Sequence, residues 1–171
     1  MRKTKLQIQL YGSSILARKC RKVAAVNDEI RDLLDEMIAL MRESEGIGLA
    51  ANQAGLDLCL AVIELSGKVY KMINPRIVSS SGKVVFEEGC LSFPGLELDI
   101  RRAAKVTVRY TDETGGECEL QAQDLLAIAL QHEIDHLNGK TFVDRISIAR
   151  RAKIRKQLEE IKKHARSLGQ C

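Results

Sequence analysis

The hydrophobic and polar positions of this chain change period several times, and each change marks an element. Between Asp28 and Arg42 the apolar residues Ile30, Leu33, Leu34, Met37, Ile38 and Met41 recur at helical spacing, which predicts a helix with one buried face. Asn27 is placed to cap it. The runs LCLAVIEL (58–65) and KVYKMI (68–73) read as strands on either side of a Ser66-Gly67 turn. Arg76–Val78, Lys83–Phe86, Lys105–Tyr110 and Glu117–Gln121 are further short strands, the last two flanking the turn-rich TDETGG. A second helix is expected from Ala122 or Gln123 to Asn138, stopped by Gly139. A third spans Ser147 to Leu168, with Ile154, Leu158, Ile161, Ala165 and Leu168 along one side. The order predicts an α+β fold: short antiparallel strands around a central helix, with an N-terminal and a C-terminal helix.

Length adds that residues 1–171 form a single domain, of which 147–171 is a basic C-terminal helix. No apolar run approaches a membrane span, and the basic start MRKTKLQIQL alternates polar and apolar residues, unlike a signal peptide. A cytoplasmic protein without a membrane partner is the expectation. Five cysteines are an odd number and contain no CxxC pair, so Cys20, Cys59, Cys118 and Cys171 read as idle thiols. The net charge of +4 is unevenly placed: residues 147–171 hold eight Lys or Arg against two Glu, so the preceding residues sum to −2. The body is nearly neutral and the tail is basic.

The chemistry concentrates in QHEIDHLNG (131–139). Two of the three histidines, His132 and His136, are one helical turn apart and share a face, so both rings can reach one ion. Glu133 is one step round, where it can act on a water without binding the metal. A pair of solvated histidines is the bland alternative, but the preceding DLLAIALQ is strongly apolar, and buried imidazoles need partners. A third ligand is then required. Gly139 fits the longer HExxHxxGxxH pattern, yet its last position is Phe142, and Glu159 and Glu160 lie within the basic tail. Cys90 in EEGCLSFPG (87–95) is the better candidate, completing a His2Cys set with one open position. GIGLAANQAG (46–55) taken alone reads as a tight connection of small residues; it also permits close backbone approach and offers Gln53 as a neutral donor, and no Lys-Ser/Thr follows its glycines, so it is not a phosphate loop.

Together these segments resemble the peptide deformylase family, whose GxGLAAxQ, EGCLS and HExDH stand complete here as Gly46–Gln53, Glu88–Ser92 and His132–His136. The likeness covers most of the chain and fits the compact bacterial class without the inter-motif insertion; Ser14, where many members have proline, is a small departure. The resemblance implies removal of the N-formyl group from the formyl-methionine of nascent polypeptides, with release of formate. It implies one divalent metal on Cys90, His132 and His136, with Fe2+ the cellular ion and Zn2+ or Ni2+ other occupants. Glu133 would be the general acid/base, and Gln53 with the Leu91 backbone N–H would stabilise the oxyanion. The peptide would pair with backbone at Ile47, Gly48 and Gly89, and its methionine would meet Ile47, Phe86, Leu125, Ile128 and Ala129. Arg102 would help hold the peptide or its neighbouring loop, and Glu88 would orient a metal-ligating histidine. No DNA partner is expected; the basic tail suggests docking on the ribosome. Two rivals are a metallopeptidase with a downstream third ligand and a non-catalytic docking protein; the first predicts that Cys90 is dispensable for metal binding, and the second that Glu133 or Gln53 would be missing.

Overall fold

In a computed structural model, which describes residues 5–170, helix α1 runs Asp28–Glu43. The Asn27 side chain accepts a hydrogen bond from the Ile30 N–H (2.9 Å), and all six apolar positions of the predicted face are buried. Seven strands follow in antiparallel pairings: β1 (Gly48–Ala50), β2 (Leu60–Leu65), β3 (Lys68–Ser81), β4 (Val84–Gly89), β5 (Glu97–Arg102), β6 (Lys105–Thr111) and β7 (Glu117–Gln123). Five form one sheet in the order β1-β2-β3-β6-β7, while β4 and β5 make a separate ribbon. The turn between β2 and β3 places Ser66 (φ 52°) and Gly67 (φ 75°) in the left-handed region, the geometry whose twist suits a two-residue hairpin.

Two strands were not legible in the pattern, and one was longer than expected. β1 is only three residues. In β5 the inward positions are Leu98, Ile100 and Arg102, so a buried arginine interrupts the apolar alternation. β3 absorbs Arg76–Val78 by passing through Asn74-Pro75 with register shifts. Asn74 holds the required positive φ (53°) because its side chain exchanges hydrogen bonds with both backbone groups of Val23.

Helix α2 (Asp124–Leu137) is buried without interruption from Ala127 to Leu137. Ala127, Leu130, Ile134 and Leu137 pack on Ile63, Met72, Val106 and Val108 of the large sheet, while α1 packs with β2 in a second cluster. The helix ends at Gly139 (φ 70°), where an added Cβ would lie 2.8 Å from the Arg18 carbonyl carbon. Only glycine satisfies both the conformation and the space.

The terminal segment corrects the single helix expected over 147–168. It is two helices, α3 (Ile148–Lys153) and α4 (Arg155–Ser167), interrupted at Ile154. α3 buries nothing and is held by polar contacts, Arg150 to the Asp99 carbonyl and Arg151 to Tyr11 and Asp144. α4 instead follows its apolar stripe: Leu158, Ile161 and Ala165 join Leu10, Phe93 and Phe142 in a third cluster. Leu168, expected on that face, is 51% exposed. The tail is therefore part of the core as well as the carrier of charge.

Candidate metal centre and cleft

Helical spacing and two crossing segments bring the candidate residues together. On α2, His132 and His136 point the same way, and their Nε2 atoms are 3.3 Å apart. Cys90, just after β4, sets its Sγ 3.3 Å from His136 Nε2, and one ligand atom from each of the three lies within 4.8 Å of the others. The sulfur–nitrogen and nitrogen–nitrogen separations suit the edges of a coordination shell with bonds of about 2.0–2.3 Å. Among the described residues this is the one such group of His, Cys and acidic side chains. Charge also favours a cation here. Burial by itself lowers His132, yet Cys90, Glu88 and Glu133 raise its imidazole well above the ordinary range. Burial, then the His132 and Arg102 charges, hold His136 well below it.

Glu133 is 4% exposed and its Oε2 has no hydrogen-bond partner among the described residues. Burial pushes its carboxyl up to about 7, against the opposing pull of His132. Its other oxygen explains a glycine of the first motif: a Cβ on Gly48 would stand 2.5 Å from Glu133 Oε1, and on Gly46 one would stand 2.7 Å from Leu91 Cδ1. Gly48→Ala is therefore expected to push the carboxylate aside and lower kcat by about 10²-fold with metal content unchanged, since a misplacement of about 1 Å has that scale. Steady-state kinetics beside elemental analysis checks it, and a wild-type kcat would show that the carboxylate has room to spare.

Gln53 is buried with its amide orientation set. Its Oε1 accepts from the Ala50 N–H (2.9 Å), which turns Nε2 toward Ser92 Oγ (3.2 Å) and Cys90 Sγ (3.4 Å). The Leu91 N–H takes no protein acceptor among the described residues. These groups and Glu133 lie along a cleft of about 680 Å³. Ile47, Gly48, Phe86 and Gly89 line its upper walls, and Leu125, Ile128 and Ala129 continue the apolar wall along α2.

Arg102 is not on that wall. Its side chain is 0% exposed and spends its donors on two carboxylates, both oxygens of Glu88 (2.6 and 2.8 Å) and Asp135. A guanidinium enclosed in this way faces the β4 strand bordering the cleft, so of the two roles expected of Arg102 its contacts are those of holding that neighbouring segment. Glu88 in turn meets His132 Nδ1 at 2.8 Å. Burial alone would raise the Glu88 carboxyl, but the Arg102 guanidinium and His132 hold it below its usual value. Arg145 closes the network from outside, gripping both oxygens of Asp135. Asp135, Arg145, Asn52 and Ser92 were missed in the sequence. Asp135 stands inside HEIDH and Asn52 and Ser92 inside the other two motifs, so position was the available signal; Asn52 donates to the His136 carbonyl and ties the first motif to α2.

A thiol and two imidazoles converging beside a buried carboxylate on the floor of a cleft define a metal-dependent hydrolase. The family model described as polypeptide deformylase matches residues 5–152. The peptide deformylase of Nitrosococcus oceani is 44% identical over 158 residues, covering 91% of this chain and 95% of that protein, and that of Helicobacter pylori is 40% identical over 170 residues, covering 95% and 97%. A crystal structure of the Legionella pneumophila peptide deformylase superposes with a TM-score of 0.87 at 39% identity, over 94% of this chain and 96% of that one. The chain belongs to the polypeptide deformylase family. It is accordingly a metal-dependent hydrolase that removes the formyl group from N-terminal formyl-methionine. No described helix is long and apolar enough to cross a membrane.

Proposed function

We propose that Cys90, His132 and His136 hold the catalytic metal, that Glu133 moves the protons, and that Gln53 and the Leu91 N–H stabilise the developing oxyanion. The observation behind this reading is the convergence of three ligand atoms within 4.8 Å beside a buried, unpartnered Glu133 oxygen. When bound there, a divalent ion supplies Lewis acidity and lowers the pKa of water. Glu133, next to His132 yet outside the ligand group, takes the proton of the attacking water and returns it to the departing amine. Negative charge grows on the formyl oxygen, and the Gln53 Nε2, fixed by the Ala50 N–H at its other end, meets that charge without reorganising. Glu88 orients His132 through Nδ1 and determines which ring nitrogen faces the ion.

The substrate chain lies extended between two sheet edges. Among the described residues β1 pairs only with β2 and β4 only with β5; the Ile47 carbonyl is taken by the Glu64 N–H, which leaves the Ile47 N–H, Gly48 and Gly89 for a peptide to pair with. The methionine side chain enters the apolar part of the cleft formed by Phe86, Leu125, Ile128 and Ala129. The soft thiolate with two imidazoles admits Fe2+, Zn2+ or Ni2+, and we take Fe2+ as the cellular ion.

Anaerobically purified protein should release formate from formyl-Met-Ala-Ser with close to one metal ion per chain. Cys90→Ser should lose most of that metal, while Cys20→Ser, Cys59→Ser and Cys118→Ser keep it. A fully metallated, active Cys90→Ser protein would remove the thiolate from the ligand set.

We further infer that the protein works in the cytoplasm, docked on ribosomal RNA through its tail. Arg155, Lys156 and Lys163 are exposed on α4 and point away from its buried stripe. Because Leu158, Ile161 and Ala165 belong to the core, truncation would damage the fold, and charge reversal is the cleaner probe. The triple variant Arg155→Glu, Lys156→Glu, Lys163→Glu should bind ribosomes about tenfold more weakly or worse, and wild-type binding should fall steeply with salt. Affinity indifferent to both changes would leave the tail a solvated helix face.

A further inference from the structure

Beyond α4 the chain turns back on itself in a way its sequence dictates. Gly169 takes a left-handed φ of 71°, and the N–H groups of Gly169 and Gln170 donate to the carbonyls of Arg166 and Ala165 (both 3.0 Å), the Schellman closure of a helix. That turn aims the Gln170 side chain at the N-terminal segment. Its Oε1 accepts from the Leu10 N–H (2.8 Å), and its Nε2 donates to the Ile8 carbonyl (2.9 Å). One amide thus does for residues 8–10 what a neighbouring strand would do. The odd-numbered residues of the same segment bond in another direction, toward the site. The Gln9 N–H donates to the Gln53 carbonyl (2.7 Å), and the Tyr11 N–H donates to the Ser92 carbonyl (2.9 Å). Gln53 and Ser92 are themselves joined, Nε2 to Oγ, at 3.2 Å. A single segment therefore separates the end of the chain from the amide that faces the oxyanion.

We propose that Gln170 is a positioning residue for the reaction: its side-chain amide fixes the Ile8–Tyr11 segment, and that segment fixes the Gln53 donor. This rests on the oxyanion role proposed above for Gln53. The Ala50 N–H sets the rotation of the Gln53 amide, but the backbone that carries it is held from the N-terminal segment. An oxyanion donor works only when it is held in advance, to about 0.5 Å. The tail has other grips on the segment. Leu10 packs with Leu158, Ile161 and Ala165, and the Lys162 ammonium lies over the Tyr11 ring (5.3 Å). Apolar packing is not directional, so it holds the segment against α4 without setting its register. The two bonds from Gln170 are directional and do set it.

The test is a double-mutant cycle on the full, metal-loaded chain with formyl-Met-Ala-Ser. Gln170→Ala should lower kcat about tenfold with KM within about twofold of wild type and metal content unchanged, part of the roughly 10²-fold loss that a misplacement of about 1 Å brings. Gln53→Ala should lower kcat about 10²-fold or more. Adding Gln170→Ala to Gln53→Ala should then change kcat by about twofold or less, because the group being positioned is gone. Gln170→Glu keeps an acceptor for the Leu10 N–H but sets a carboxylate against the Ile8 carbonyl, and should fall to the level of Gln170→Ala or below. A purely structural Gln170 would lower Tm and leave kcat alone, or cut kcat by the same factor in both backgrounds; either result overturns the proposal. If Gln53→Ala is slow while both Gln170 variants turn over like wild type, the positioning role falls and the oxyanion role stands. If Gln53→Ala keeps a wild-type kcat, both fall. Gln170 is only partly buried and lies beyond α4, and rates taken per bound metal are unaffected by any unfolded fraction.

Discussion

Glu133→Gln is expected to lower kcat for a formyl-peptide by about 10²- to 10⁴-fold while the protein keeps its metal, the usual scale for loss of a general acid–base. The amide matches the carboxylate in shape, so the packing against Gly48 is preserved and only the proton-accepting oxygen is lost. Retention of metal follows because Glu133 is outside the group of converging ligand atoms. Burial reinforces the role, since a carboxyl held up to about 7 exchanges a proton readily near neutral pH. The measurement is kcat with elemental analysis on the same preparation. Activity within a factor of a few of wild type would mean another group moves the proton, and loss of metal would make Glu133 a ligand.

Arg102→Leu should destabilise the protein by about 3–5 kcal/mol, the cost of stranding buried charges when one partner is removed. Arg102 is enclosed and donates to both oxygens of Glu88, one of which also meets His132 Nδ1. Asp135 keeps Arg145, so the stranded charge is mainly that of Glu88, directly behind His132. For a chain of this size the loss corresponds to a fall in Tm of about 10–15 °C. Urea unfolding of the metal-loaded protein checks it, and a change below about 1 kcal/mol would show that the network contributes little. A peptide-binding role would instead appear as a raised KM in a protein of normal stability, so the same variant separates the two readings of Arg102.

What could be read from the sequence was what depends on neighbours along the chain. The face of α1, its Asn27 cap, the Ser66-Gly67 hairpin and the pairing of His132 with His136 are all local, fixed by helical or strand period and turn chemistry. The three motifs also named the family, because each keeps residues that the chemistry requires. The meeting of Cys90 with two histidines more than forty residues later came from chemical reasoning about a missing ligand; the fold supplies the juxtaposition. Where local reasoning failed, a distant partner had changed the meaning of a residue. Arg102 alternates into the interior of β5, and only the tertiary fold sets Glu88 and Asp135 around it, turning an apparent surface cation into a buried one. The terminal helix breaks at Ile154 because its first part is held by polar contacts to the ribbon and its second by an apolar stripe, two constraints that come from elsewhere in the chain. Period and propensity act over a few residues, whereas burial and charge pairing depend on what folding brings alongside, and that is decided in three dimensions.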